Sequence, residues 1–300
     1  MDTRLSEKST LFDENCRQLM ILVLGYANVD LIASIPHLPI SGERVTATAI
    51  DMFPGGMGAN CACAASHLGS EVYFFGSVGG DVYGNFLLED FKTHGVKTEY
   101  TPTAQKTTKA LISVTPNGER SIISEPFEYK PQQLREFLET SLQAGLLYVD
   151  GYHLGVAQKE LGLARSKGFT IYCDLDGAID TYEKSEILEY LDLVHIAQVT
   201  PHIVQGLLGT DDPALLLNHV TTIIQTNGAE DVEFYTPTSK QCFAVPKTNV
   251  VDTTGAGDIF AGSFLHFYEK SGRLETSILQ ATEQAAKSVS ISGPRLPSVY

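Results

Sequence analysis

The chain has 300 residues, 43% of them hydrophobic, enough to build a sizeable core in one large α/β domain or two modest ones. Its 36 acidic residues against 21 basic ones leave a formal charge of -15, which repels phosphate backbones and anionic lipid. No local basic patch offsets that charge, so nucleic-acid and membrane-surface partners are excluded and a small-molecule ligand is expected.

The first strongly apolar run, "LMILVLGYANV" at residues 19–29, is too short to span a bilayer and follows "DENCRQ" rather than a basic stretch. It reads as a buried strand and not as a signal peptide. Cys16, Cys61, Cys63, Cys173 and Cys242 are an odd set without metal-ligand spacing, expected to be reduced packing thiols in a cytoplasmic protein.

Short apolar runs then alternate with helical patterns. "MILVLG", "EVYFFG", "LLYVDG", "FTIYCD", "LVHIAQ" and "TTIIQT" predict strands buried on both faces, while "ANCACAASHLG", "YGNFLLEDFKTHG" and "PQQLREFLETSLQAG" predict helices between them. That rhythm predicts a doubly wound, mostly parallel sheet. Two segments break it: "DLIASIPHLPISGERVTATAIDMFPGG" and "TKALISVTPNGERSIISEP" lack a helical period and carry Gly and Pro turns, with "PNGER" as a hairpin tip. The expected organisation is an α/β core of residues 1–29, 57–102 and 127–300, with a small inserted β-sheet lid of residues 30–56 and 103–126. Such a lid would cover the carboxyl ends of the parallel strands.

Near the end stands "NVVDTTGAGDIFAGSFL", residues 249–265: strand, glycine turn, then a helix expected to be amphipathic. Gly255, Ala256 and Gly257 let backbone N–H groups converge at a helix N-terminus, which forms an anion hole. Asp258 beside that hole adds negative charge where anions should gather, unless it has a task. Phosphoryl transfer supplies one, because a base must take the proton of the attacking hydroxyl. A capping aspartate after an ordinary glycine turn is the alternative.

Three further turns follow buried runs. In "PGGMGANCACAASHLG", Gly55, Gly56 and Gly58 permit close approach of a ligand and Asn60 offers a bidentate amide. In "GYANVDLI", Asn28 and Asp30 occupy alternate strand positions and point to one side, where they can pair with sugar hydroxyls. "GSVGGDVYG" places Asp81 in a third glycine-rich turn. His67, His94, His153 and His195 are read as packing or surface histidines.

The ordered set "NVD", "GGMGAN", "GSVGGDVYGNFLLEDF", "GER" and "DTTGAGDIFAGSFL" resembles the ribokinase or phosphofructokinase-B family of carbohydrate kinases over residues 20–300. The resemblance implies ATP-dependent phosphorylation of a sugar or nucleoside hydroxyl, with Mg²⁺. It implies Asp258 as catalytic base and Gly255, Ala256 and Gly257 as the anion hole. Asp30, Gly56 and Asn60 fall where the family binds sugar, with Asn28 and Gly55 beside them. Asp252 and Thr254 match positions of a monovalent-cation site, which raises K⁺ as a cofactor. Thr226 and Gly228 in "TNGAED" sit at the nucleotide strand, and Gly293 in "SISGPRLPSV" lies in the segment beside the adenine. Paired lids form a homodimer in part of the family.

The departures narrow the expectation. Where family members carry Asn-x-x-Glu to order water around Mg²⁺, this chain has His202 and Gln205, without the negative charge that helps retain a hydrated divalent ion. Asp174 and Asp176 in "IYCDLDG" end a strand at the same sheet edge and could compensate. Asp231 replaces the second glycine of the nucleotide turn, and Met57 stands where ribokinases have Lys, which moves the expected substrate from ribose toward a ketose or sugar derivative. Arg120, with Arg44 and Lys109, offers a cationic subsite for a phosphosugar. A nucleoside kinase of the same family and a catalytically weak binding protein remain the alternatives.

Overall fold

The parallel sheet forms where apolar runs are long enough to be covered on both faces. A computed structural model describes residues 19–177, 185–197, 201–291 and 293–296. The strands, in chain order, are β1 (Ile21–Leu24), β2 (Asn28–Ser34), β3 (Ala49–Gly55), β4 (Val72–Phe74), β5 (Val78–Gly79), β6 (Thr103–Ala104) and β7 (Thr108–Val114). There follow β8 (Arg120–Ser124), β9 (Leu146–Asp150), β10 (Thr170–Asp174), β11 (Leu193–Ala197), β12 (Thr222–Asn227), β13 (Glu230–Thr236) and β14 (Ser239–Phe243). The helices are α1 (Met57–His67), α2 (Val82–Thr93), α3 (Gln132–Thr140), α4 (Gly151–Leu154), α5 (Gln158–Ser166), α6 (Pro201–Leu208), α7 (Ala256–Ser271) and α8 (Leu274–Ser288).

The large sheet has the order β14-β13-β12-β11-β10-β9-β1-β4, parallel from β12 to β4 and closed at one edge by the antiparallel hairpin β13–β14. This bears out a doubly wound, mostly parallel α/β core. Strand β1, "ILVL", is buried at every position because both of its faces meet helices. One apolar cluster joins Val23, Tyr148 and Tyr172 to Phe260 and Phe264 of α7 and Ala62 of α1. A second, on the opposite face, joins Leu22, Val149 and Ile171 to Leu138 of α3 and Leu161 of α5. The α7 pattern reads as amphipathic, yet Ile259 through His266 are all buried. The reason is position: α7 packs between α1 and α8, so neither side of it faces water. No helix among the described residues is long and apolar enough to cross a membrane.

A separate four-stranded sheet, β3-β2-β7-β8, stands over the carboxyl ends of the core strands. Residues 116–119 of "PNGER" form the turn between β7 and β8. Pairing puts Asp30 beside Ala110 and Ala110 beside Ser124 on the face that lines the cleft. The alternate register, Met52–Leu31–Leu111–Ile123, forms the other face. Thr103–Ala104, expected with the lid, instead pairs with Val78–Gly79 in a two-stranded ribbon next to the core.

Candidate active site

Helix α7 starts from Gly255, whose φ of 73° is in the left-handed region that glycine enters without strain. The turn delivers Ala256, Gly257 and Asp258 in succession to the wall of one cleft of about 610 Å³ between core and lid. Asn28, Asp30, Gly56, Asn60, Arg120, Thr254, Gly255, Ala256, Gly257 and Asp258 all line it. The structure therefore gathers most of the residues singled out in the sequence, from four separate segments. Gly55, Thr226, Gly228, Asp252 and Gly293 do not line it. Gly55 sits against the carboxylate of Asp30, so close that a Cβ there would come 2.2 Å from Asp30 Oδ2.

Asp258 accepts a hydrogen bond from Asn60 Nδ2 at 2.6 Å. Its carboxyl is held well above the ordinary carboxylate range, chiefly because it is removed from water. The Asn60 hydrogen bond and the Arg295 charge oppose that rise, while Asp174 and Asp176 add to it. A desolvated carboxylate beside N–H groups suits a general base. Across the cleft, Asn28 Nδ2 donates to Asp30 Oδ1 at 2.6 Å. Burial also raises the Asp30 carboxyl, against the pull of Asn28 and Arg295. Asn28, Asp30 and Asn60 all present polar groups to the cleft. Gly56 at the start of α1 has φ 101°, and a Cβ there would lie 2.5 Å from Tyr26 O, so only glycine lets α1 reach the cleft.

The loop before α7 is tied by Asp252. Its Oδ1 accepts from Thr254 N at 2.9 Å and Thr254 Oγ1 at 2.7 Å, and its Oδ2 accepts from Gly293 N at 3.0 Å. Partial burial raises the Asp252 carboxyl, but these donors outweigh it and hold the group below its ordinary value. Gly228, at φ 63°, turns the β12–β13 hairpin. Arg120 of the lid reaches Thr253 Oγ1 of the loop, Nη2 to oxygen 3.5 Å. Lys109 also lines the cleft, its Nζ 2.8 Å from Glu125 Oε2, whereas Arg44 is exposed outside it. Gln205 is an exposed residue of α6 that does not line the cleft, and the side chain of His202 lies outside the described residues, as does Cys16. Asp81 is structural: it caps α2 through Gly84 N and accepts from Thr107 N and Oγ1.

One cleft residue escaped the sequence reading. His195 is buried at the cleft floor, its Nδ1 3.0 Å from Asp174 Oδ2 and its Nε2 3.0 Å from Thr226 Oγ1. It is neither a surface nor a plain packing histidine. The signal was a polar residue in the middle of the apolar run "LVHIA", in register with the strand-end Asp174.

A family profile described as pfkB family carbohydrate kinase matches residues 18–299. Among relatives, the chain is 30% identical over 257 residues to a ribokinase of Lactococcus lactis, covering 81% of this chain and 82% of that one. It is 27% identical over 294 residues to a deoxyribokinase of Salmonella typhi, covering 91% and 93%. Among solved structures, a ribokinase of Thermotoga maritima shares the fold with a TM-score of 0.81 at 24% identity, over 92% of this chain and 94% of that one. With the motifs, the ribokinase-like sheet and the cleft in agreement, the chain belongs to the pfkB family of carbohydrate kinases.

Proposed function

We propose that the protein transfers the terminal phosphoryl group of ATP to a hydroxyl of a sugar, with Asp258 as the base. The observation that carries this reading is the adjacency of Asp258 to the Gly255–Gly257 turn on one wall of the cleft, facing the hydroxyl-binding set Asn28, Asp30 and Asn60. The acceptor alcohol gives its proton to Asp258 as its oxygen bonds to phosphorus. The bond from phosphorus to the β-phosphate oxygen breaks, and ADP leaves. The amides at the start of α7 face the negative oxygens while charge is redistributed. The lid residues Asp30, Ala110 and Ser124 close over the substrate and exclude water.

Mg²⁺ is implied by the family, and the cleft offers acidic oxygens for it. Asp174 is committed, Oδ2 to His195 and Oδ1 to Asp176 N at 3.0 Å. Asp176 also lines the cleft, its Oδ1 accepting from Gly177 N at 3.0 Å, and the two carboxylates would together hold a hydrated divalent ion beside the substrate phosphates. Such an ion would neutralise charge on the transferred group. Around Asp252, three donors already occupy the carboxylate, and a monovalent ion such as K⁺ would complete the loop that sets Thr254 and Gly255. Thr226, Gly228 and Gly293 belong to the proposed nucleotide side.

A panel of ribose, deoxyribose, ketoses, phosphosugars and nucleosides, assayed with ATP, Mg²⁺ and K⁺ and then with each ion omitted, tests the reading. The similarity to a ribokinase and a deoxyribokinase supports placing pentoses first, while Met57 and the "DLDG" stretch support ketoses. Turnover with a nucleoside alone would favour the nucleoside-kinase alternative. Thermal stabilisation by ligand without any ATP consumption would favour a binding protein. For a phosphosugar, Arg120→Ala should raise KM for that substrate. The outer lid face exposes Ile50, Met52, Leu111 and Ile123, which supports a homodimer through paired lids; Leu111→Glu should then give monomers in sedimentation.

A further inference from the structure

Arg295 follows α8, in the segment that also carries Gly293, and its side chain is only 9% exposed. Its Nε donates to Asp90 Oδ2 of α2 at 3.0 Å, and its Nη1 donates to Asn60 Oδ1. His94 Nδ1 stands 3.4 Å from the same Asp90 carboxylate, which fixes the far end of the guanidinium. A guanidinium donates at every nitrogen and accepts nowhere. The Asn60 atom that meets it must therefore be the carbonyl oxygen, which turns the amide nitrogen toward Asp258. A free amide could present either end to the base; this one is wired in one sense, Asp90 to Arg295 to Asn60 to Asp258.

We infer that Arg295 is a positioning residue for phosphoryl transfer, which orients the Asn60 amide so that Nδ2 always donates to Asp258 Oδ2 and leaves the other carboxylate oxygen to take the proton. This rests on the proposed role of Asp258 as base. The arrangement keeps one oxygen of the base anchored and favours its carboxylate form, against the effect of burial, in a place where water is scarce. The groups acting on Asp258 support it: Asp174 and Asp176, from the end of β10, favour its protonated form, while Arg295 favours the carboxylate. Tyr26 just after β1, Cys61 of α1 and Tyr148 of β9 have their own acidities lowered in part by its charge.

The test is the pH dependence of kcat for the wild type, Arg295→Met, Arg295→Lys and Asp258→Asn, with KM for ATP measured alongside. Arg295→Met should lower kcat roughly ten- to hundred-fold, the scale of one charge-assisted hydrogen bond. It should also move the acid limb of the profile to higher pH and leave KM for ATP within about twofold. Arg295→Lys, which restores the charge without the planar fork, should bring the limb back while recovering only part of kcat. If Arg295→Met does not fold, Arg295→Gln, which removes the charge but can still donate to Asn60 Oδ1, should move the acid limb to higher pH with a smaller loss of kcat. An Arg295 variant that melts earlier but, assayed below its melting temperature, keeps the wild-type limb and kcat would overturn the inference. If Asp258→Asn itself retains wild-type turnover, it is the base assignment that fails instead.

Discussion

Asn60 Nδ2 and Asp258 Oδ2 meet at 2.6 Å although 198 positions separate them in sequence, so the first turn of α1 and the first turn of α7 form one chemical unit. The packing of α1 against α7, in which a Cβ on Gly262 would come 2.3 Å from Cys61 O, sets that distance. Asn60→Ala should therefore act on chemistry more than on nucleotide affinity. Loss of a hydrogen bond to a charged group is worth about 1.5–3 kcal/mol, or roughly ten- to hundred-fold in kcat. Because Asn60 lowers the Asp258 pKa, the acid limb of the kcat profile should shift upward in the variant; an unmoved limb would contradict the contact's role.

Burial of Asp258 has a consequence for stability as well as for rate. Its folded pKa lies above the unfolded value, so its contribution to stability is fully present below about pH 4 and is lost as pH rises through the folded pKa. Asp258→Asn removes the buried charge and leaves a neutral group of the same shape. Without ligand, it should melt higher than the wild type at pH 7 to 8, with the difference shrinking toward about pH 4. Calorimetry across that range checks the sign, and a variant less stable at pH 8 than the wild type would contradict it.

Gly255→Ala tests the anion hole. The residue sits at φ 73°, and an added Cβ would meet Pro294 Cβ and O at 3.0 Å. Strain at such a position costs about 1–3 kcal/mol, and it can be relieved only by shifting the amides that follow. Urea denaturation should show that loss, and ADP binding by calorimetry should weaken about tenfold or more. Full ADP affinity in a destabilised variant would place the phosphates elsewhere.

Asp81 carries stability rather than chemistry. It caps α2 and holds Thr107, and although desolvation pushes its carboxyl up, these donors bring it down to about 2. Asp81→Ala should cost about 1–2 kcal/mol at neutral pH. A depressed pKa means the wild-type advantage is present above the unfolded value near 4 and fades as pH falls toward about 2. Denaturant midpoints of the two proteins should converge over that interval, with kcat at pH 7 little changed.

Local features of the fold and site were legible in the sequence, and long-range meetings were not. The runs "MILVLG" and "LLYVDG" could only be strands covered on both faces, and "PNGER" could only be a tip between strands. Asp258, Gly255 and Asn60 stood out because a turn made of glycines leaves few roles for a polar neighbour. His195 gave only a polar residue inside an apolar run, and Arg295 gave no local sign. Each gains its role from partners on other strands or helices: Asp174 and Thr226 for the first, Asp90 and Asn60 for the second. The burial of α7 was hidden for a related reason, since α8 covers the face that its own pattern leaves polar enough for solvent. The start of the second lid segment also depended on pairing, because Thr103–Ala104 finds Val78–Gly79 before the chain reaches β7.

The most direct measurement is single-turnover phosphoryl transfer by Asp258→Asn, with the best sugar from the panel and nucleotide affinity determined in parallel. A positioned base contributes about 10²–10⁴ in rate. The variant should lose turnover by that range while binding ATP as the wild type does. Wild-type turnover in a variant with no carboxylate at position 258 would contradict the account.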